Sequence, residues 1–148
     1  MFKKVHFLLG LFVALYFMPY VNNKIVFFPI VLISTFIPDF DLIISPRRRK
    51  TMTKPSELRG YRDFMHSYTL CIILSALLAI FYPILALPFF IGYSFHLFFD
   101  SLTTYGISPF WPFKIKTKGF ISPDGIAEKT ITIILILLTL LLVFRYLF

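Results

Sequence analysis

The stretch AEKTITIILILLTLLLVFRYLF, residues 127–148, contains neither glycine nor proline, and Arg145 is its only charged residue after Lys129. About 20 consecutive apolar residues cross the hydrocarbon core of a bilayer as an α-helix, so this stretch predicts a membrane-spanning helix. The composition of the whole chain agrees. Of its 148 residues 58% are hydrophobic and 15% are charged, against about 45–50% and about 25% in soluble domains.

Four more apolar stretches precede this one, and together they predict an all-α, polytopic helical bundle in a single integral-membrane domain, 1–148. The five predicted helices are 5–21, 24–45, 66–82, 84–104 and 127–148. The first could instead be a signal peptide, but no small-residue cleavage site follows it, which favours a retained helix. Cys71 is the only cysteine, which excludes a disulfide within the chain and a cysteine metal cluster.

The net charge of +8 is distributed unevenly. If the N-terminus is cytoplasmic, thirteen of the fifteen lysines and arginines fall on the cytoplasmic side, with the loop 46–62 the richest segment and Lys24 and Arg145 the exceptions. Cytoplasmic loops of membrane proteins carry such an excess of positive charge. This pattern predicts a cytoplasmic N-terminus and a C-terminus outside, and it favours contact with anionic headgroups over nucleic-acid binding.

In this topology the ionisable residues of the apolar helices gather at one depth, near the cytoplasmic face. His96 and Asp100 are four positions apart, and therefore on one face of a helix. An ionisable group at the centre of a bilayer costs about 2.5–3.5 kcal/mol on insertion scales, so a common site explains the pattern better than several unrelated placements. The predicted metal ligands are His6, Asp39, Asp41, His66, His96 and Asp100.

Imidazoles and carboxylates without thiolates suit a divalent ion, most of all Zn²⁺, with Mn²⁺ or Fe²⁺ as alternatives and one or two ions in the site. Such an ion activates water as a nucleophile. Whichever of Asp39 or Asp41 is not a ligand is a candidate general base, and Arg62 is a candidate for holding an anionic oxygen. Taken singly, these residues also have simpler explanations, such as a helix cap at Asp39/Asp41, a helix start at His66–Ser67, or a hydrogen bond between His96 and Asp100.

The segment 105–126 is rich in glycine, proline and aromatic residues and contains Lys114, Lys116 and Lys118. Its aromatic rings, Trp111 among them, are candidates for the headgroup boundary. The segment is either an interfacial connector without a chemical role or a lid that shapes access to the metal from the lipid side. Gly106 would permit a tight turn within it.

Three motifs carry a resemblance to a known family: PDFD at 38–41, YRDFMHS at 61–67 and GYSFHLFFDSLTTYGISPFWPF at 92–113. In order and spacing, together with the early His6, they resemble the LexA-binding, inner-membrane-associated family of YdjM-like metal-dependent hydrolases, from about residue 6 to 113. The resemblance implies a membrane-embedded enzyme that uses a metal ion for hydrolysis. Tyr61 departs from the family pattern, because it stands where the motif has a first histidine.

The order of candidate ligands is also similar, more faintly, to that of zinc-dependent phospholipase C. That similarity implies that the ligands of a first zinc ion are Asp39 or Asp41, His66, His96 and Asp100. It implies that His6 binds a second zinc ion. The residues expected to contact substrate are Arg62, Tyr61, Ser67 and Trp111.

We therefore expect a metal-dependent hydrolase that cleaves a phosphoester of a lipid, or of another membrane-borne substrate, at the cytoplasmic leaflet. Membrane lipid is the expected partner. One alternative is a non-enzymatic scaffold with a structural metal, whose basic loop 46–62 docks a cytoplasmic protein. Another is a metal or proton transporter, since intramembrane carboxylates and histidines also mark ion paths, although a cluster confined to one leaflet argues against it.

Overall fold

The computed structural model describes residues 3–40, 64–113, 115–123 and 125–148. Over these ranges the all-α class predicted from the sequence is confirmed, because the chain forms α-helices and no β-strand. The five helices are α1 (Lys3–Phe17), α2 (Lys24–Phe36), α3 (Tyr68–Phe81), α4 (Pro83–Ser101) and α5 (Ile126–Leu147).

The second helix differs most from its predicted range, 24–45. Its α-helical part ends at Phe36, and a 3₁₀ turn, Ile37–Asp39, follows. Pro38 explains the change, since proline has no N–H to donate and its ring clashes with the preceding helical turn. Residues 41–45 of that prediction, and the basic loop 46–62, lie outside the described residues.

Helices α3 and α4 form a hairpin in which Tyr82 is the only residue between them. The hydroxyl of Ser67 accepts a hydrogen bond from the N–H of Leu70 and caps the start of α3. Pro83 occupies the first turn of α4, where its fixed φ suits a helix and its missing N–H costs nothing. The hairpin therefore places the start of α3 and the end of α4 at the same end of the bundle.

Helix α4 lies at the centre of the bundle and packs against α1, α2 and α3, whereas α5 packs against α1. The Tyr146 hydroxyl donates a hydrogen bond to the Leu15 carbonyl over 2.9 Å and joins the end of α5 to the end of α1. Side chains of α1, α2, α4 and α5 share one apolar core. Its buried members are Val5, Leu9, Val13, Ala14, Phe27, Val31, Ile91 and Leu135.

Helices α2 and α4 approach each other closely at Gly92. A Cβ atom at this position would lie 2.0 Å from Ser34 Oγ and 2.4 Å from the Val31 carbonyl oxygen, so only glycine fits. Small residues allow such close approach between membrane helices. The contact fixes α2 against α4 about one turn before His96.

The segment between α4 and α5, residues 102–121, is called the connecting loop below. Ile107 and Thr117 exchange two backbone hydrogen bonds, and the N–H of Thr104 donates to the Ile121 carbonyl. Gly106 has a φ of +67°, in the left-handed region that glycine adopts without strain. This observation confirms the tight turn expected at Gly106.

Two helices, α4 and α5, are long and apolar enough to cross a membrane. The other three have 15, 13 and 14 residues, which at about 1.5 Å per residue is shorter than a hydrocarbon core of about 30 Å. A bundle of five complete spans therefore stays a prediction. Many large apolar side chains are nevertheless exposed, including Ile25, Ile80 and Leu147.

Candidate metal centre

Five side chains from four segments meet at one end of the bundle, and we call them the His/Asp cluster. His6 comes from the first two turns of α1, Asp39 from the 3₁₀ turn after α2, His66 from the turn before α3, and His96 and Asp100 from the end of α4. The three histidines are 0% exposed, and the two aspartates are 4% and 1% exposed. Residues separated by up to 94 positions in sequence thus share one buried site.

The carboxylates of Asp39 and Asp100 lie between the imidazoles. His66 Nε2 is 3.6 Å from Asp39 Oδ1 and 3.4 Å from Asp100 Oδ2, and His96 Nε2 is 3.5 Å from the same Asp100 oxygen. His6 faces both carboxylates, with Nδ1 at 3.4 Å from Asp39 Oδ2 and Nε2 at 3.3 Å from Asp100 Oδ1. Every histidine of the chain therefore faces Asp100.

These separations are longer than those of ordinary hydrogen bonds, which are about 2.7–3.2 Å for N–H···O. They match the spacing of ligands around a tetrahedral metal ion, because bonds of about 2.1 Å place neighbouring donor atoms about 3.4 Å apart. His96 and Asp100 are therefore not joined by a short mutual hydrogen bond. Their spacing, like that of the other donor atoms, is compatible with ligands of a shared ion.

The tautomer of His96 follows from its other neighbour. His96 Nδ1 lies 2.7 Å from the carbonyl oxygen of Thr35, and since a carbonyl only accepts, Nδ1 must carry the proton. The lone pair of the neutral ring is then on Nε2, which faces Asp100. Histidines that bind metals are commonly oriented in this way by a backbone carbonyl.

Three buried ring nitrogens of the cluster have no hydrogen-bond partner among the described residues: both nitrogens of His6 and Nε2 of His96. A buried polar atom left unsatisfied costs about 1–3 kcal/mol. A cation among the rings and carboxylates would remove this cost. The donor set therefore fits a divalent ion.

Two groups of three residues have donor atoms that all lie within 4.8 Å of one another: His6, His96 and Asp100, and Asp39, His66 and His96. Both groups need His96, whose Nδ1 is already bonded to Thr35. One nitrogen cannot serve two ions at once. The two groups therefore cannot each hold an ion at the same time through His96. A second ion would need ligands other than His96.

The other residues predicted for the site are placed differently. Ser67 is buried, and its hydroxyl donates to the Phe64 carbonyl and accepts from Leu70 N–H, so it serves the start of α3. Trp111 lies in the connecting loop, with its ring 4.9 Å from that of Phe64. The substrate-binding role of Ser67 and Trp111 stays a prediction. Asp41, Tyr61 and Arg62 lie outside the described residues.

Two residues that support the cluster were not predicted. The first is Thr35, whose contribution is a backbone carbonyl and so leaves no mark in the sequence. The second is Tyr93, which is buried and donates a hydrogen bond of 2.5 Å to the carbonyl of Met65, directly before His66. The position of Tyr93 could have been predicted from the sequence. It lies three residues before His96 and seven before Asp100, and therefore on the same face of the helix.

Comparison with known proteins agrees with the membrane character of the chain. A family model described as "YdjM inner membrane protein" matches residues 1–148. No match was found among curated proteins or among solved structures. The description of the family model mentions neither hydrolysis, LexA nor phospholipase C, so those parts of the resemblance stay predictions. The match covers the whole chain, and the protein belongs to the YdjM family of inner membrane proteins.

Proposed function

We propose that this protein is a membrane-embedded, metal-dependent hydrolase that cleaves a phosphoester of a lipid, or of another membrane-borne substrate, at the cytoplasmic leaflet. The spacing of the His/Asp cluster is the observation that carries the proposal. Three separations between the Nε2 atoms of His66 and His96 and the carboxylate oxygens of Asp39 and Asp100 fall between 3.4 and 3.6 Å. This is the range expected around a metal ion with bonds of about 2.1 Å.

The proposed ligands of the ion are Asp39, His66, His96 and Asp100. Two carboxylates and two neutral imidazoles balance the charge of a divalent cation, and this mixed nitrogen and oxygen set suits Zn²⁺, with Mn²⁺ or Fe²⁺ as alternatives. His6 faces the remaining oxygens of both carboxylates. It would bind a second ion together with them, or support the first set of ligands.

The chemistry follows from the residues around such an ion. A divalent ion supplies Lewis acidity and activates water for hydrolysis near neutral pH. Both oxygens of Asp39 face histidines of the cluster, so Asp39 is the ligand and Asp41 is the proposed general base. Asp41 would accept the proton of the attacking water. Arg62 binds a phosphoryl oxygen through its planar donor fork.

A membrane-borne substrate is favoured by where the cluster lies in the bundle. All five side chains come from helix ends, and α4 and α5 are long enough to cross a bilayer. This position at the helix ends supports a site at the depth of lipid headgroups, where phosphoesters are concentrated. The positive charge of the flanking segments in the sequence favours the cytoplasmic leaflet.

The proposal is tested by elemental analysis of the purified protein together with a screen of phospholipid hydrolysis. We expect a stoichiometric divalent metal in the wild-type protein and its loss in His96→Ala and His66→Ala. Ser94→Ala is a matched control, because Ser94 lies two residues before His96 on α4 and its hydroxyl bonds to carbonyls of its own helix. Unchanged metal content in His96→Ala would eliminate the proposal.

A scaffold with a structural metal is the second candidate, and the complete burial of the three histidines favours it. On that alternative the metal is lost from His66→Ala, but no phospholipid is hydrolysed by any variant. Binding of a cytoplasmic protein would then depend on residues 47–54 of the basic loop and survive His66→Ala. Phosphoester hydrolysis that disappears with the metal supports the enzyme instead.

A further inference from the structure

The connecting loop is an ordered element with its own hydrogen bonds. Leu102 accepts from the N–H of Ile121, Thr103 accepts from Gly119, and Ile107 pairs with Thr117 through bonds of 3.2 and 3.0 Å. The loop thus folds back on itself through two isolated β-bridges, Thr103 with Ile121 and Ile107 with Thr117. Such a shape presents two faces.

The inner face of the loop packs on the bundle next to the His/Asp cluster. Thr103, Ile107, Ser108 and Ile121 are buried. The carbonyl of Pro109 accepts a hydrogen bond of 2.8 Å from the N–H of Tyr68, at the start of α3. The loop is therefore held by the start of α3 as well as by the end of α4, and its position relative to the bundle is fixed.

The outer face of the loop is apolar and exposed. Phe113 is 68% exposed and Phe120 is 80% exposed. Tyr105, Phe110 and Ile115 are also exposed. In water these rings would form an apolar patch of the kind that marks an interaction surface.

The charged side chains that the structure describes on this face are those of two lysines. Lys116 and Lys118 are exposed between the aromatic residues, and the sequence 102–123 contains no aspartate or glutamate. Aromatic rings settle at the boundary between headgroups and acyl chains, and lysines beside them attract anionic lipids. The combination is complementary to an anionic membrane surface.

The position of the loop along the bundle supports the same partner. It leaves α4 at Ser101 and leads to α5 at Ile126, and both helices are long enough to span a bilayer. A segment that joins the ends of two spanning helices on one side lies at the level of the headgroups.

We propose that the connecting loop is a binding surface for anionic phospholipids, with its aromatic rings inserted at the acyl boundary and Lys116 and Lys118 on the headgroups. The proposal rests on the loop and does not depend on hydrolysis at the His/Asp cluster. Its consequence is an annulus enriched in anionic lipid beside the cluster.

Trp111, the only tryptophan of the chain, is a built-in probe for this proposal. The protein is reconstituted into vesicles of phosphatidylcholine and phosphatidylglycerol, in which one lipid at a time carries bromine on its acyl chains. We expect brominated phosphatidylglycerol to quench Trp111 more than an equal mole fraction of brominated phosphatidylcholine. Bromine near the headgroup end of the chain should quench more than bromine near its methyl end.

The double variant Lys116→Gln/Lys118→Gln should lose the preference for phosphatidylglycerol while keeping the metal content of the wild-type protein. Lys24→Gln is the control, because Lys24 lies at the start of α2, at the opposite end of the bundle, and it should keep the preference. Equal quenching by both lipids in the wild-type protein would overturn the proposal. Quenching by aqueous iodide but by neither brominated lipid would also overturn it and would favour a protein partner for the loop.

Discussion

Helices α4 and α5 are the two long apolar helices among the described residues, yet they are used in opposite ways. In the most apolar 18-residue stretch of each, 39% of α4 is buried within the protein but only 11% of α5. Helix α4 carries His96, Asp100 and Gly92, whereas α5 contacts the bundle mainly through α1. The more hydrophobic of the two helices is thus the less buried.

This difference shows what hydrophobicity means when the solvent is lipid. Burial in water follows apolar character, but lipid tails are as apolar as a leucine side chain, so they give no reason to bury α5. Close packing and polar contacts are what stabilise a helix at the centre of the bundle. Substitutions on α4 should therefore be costly, and comparable substitutions on α5 should be mild.

The largest effect is expected at the contact of α4 with α2. Gly92→Ala places a methyl group against the Val31 carbonyl and Ser34, and since backbone atoms cannot give way, the helices must separate. We expect a loss of about 3 kcal/mol in the free energy of unfolding, the upper range for overpacking. Denaturation in detergent micelles, followed by circular dichroism, measures it.

Leu141→Ala on α5 is the counterpart of that substitution. Leu141 is 61% exposed, so its loss should change stability by about 0.5 kcal/mol or less. If both variants lost the same amount, the proposed contrast between the helices would be wrong.

Asp100→Asn should have the next largest effect, on metal affinity. Asp100 is the residue that all three histidines face, and the amide is a weaker ligand that carries no charge. We expect affinity for Zn²⁺ to fall by at least about 100-fold, or about 2.7 kcal/mol. Competition with a chromophoric chelator measures it, and Thr130→Val on α5, whose hydroxyl bonds to its own helix, should leave the affinity unchanged.

Tyr93→Phe on α4 should have an intermediate effect. The hydroxyl of Tyr93 holds the Met65 carbonyl beside His66, and its removal costs about 1 kcal/mol of stability. Metal affinity should fall by about tenfold, as for other residues that orient a ligand. Calorimetric titration of the metal-free protein with Zn²⁺ would show this, and an unchanged affinity would mean that Tyr93 does not position His66.

Tyr146→Phe on α5 is the matched hydroxyl deletion and should have a smaller effect than Tyr93→Phe. Its hydroxyl donates to the Leu15 carbonyl at the exposed far end of the bundle, away from the His/Asp cluster. We expect a loss of about 0.5 kcal/mol and no change in metal binding. A change in metal affinity here would show that α5 supports the site.

The sequence predicted the helical class and the convergence of His6, Asp39, His66, His96 and Asp100, because helix ends and polar residues among apolar ones are both visible in it. It did not predict that Asp39 reaches the cluster from a 3₁₀ turn, which Pro38 introduces. The orientation of His96 by the Thr35 carbonyl was also hidden. It depends on a contact between α2 and α4 that follows from tertiary packing.

Ser67 shows a pattern that allowed two interpretations. A serine directly before an apolar run is typical of a helix cap, and the structure gives it that position. Its neighbour His66 is turned into the cluster. Of these two adjacent residues, Ser67 caps a helix and His66 belongs to the cluster. The sequence motif alone does not distinguish these two roles.

The single-residue link at Tyr82 has a consequence for biogenesis. So short a link keeps α3 and α4 together as one hairpin, and it places His66 and the His96/Asp100 pair at the same end of that hairpin. The pair of α1 and α2 likewise delivers His6 and Asp39. Each hairpin carries an incomplete set of the proposed ligands, so binding of an ion at the cluster would require the two hairpins to dock.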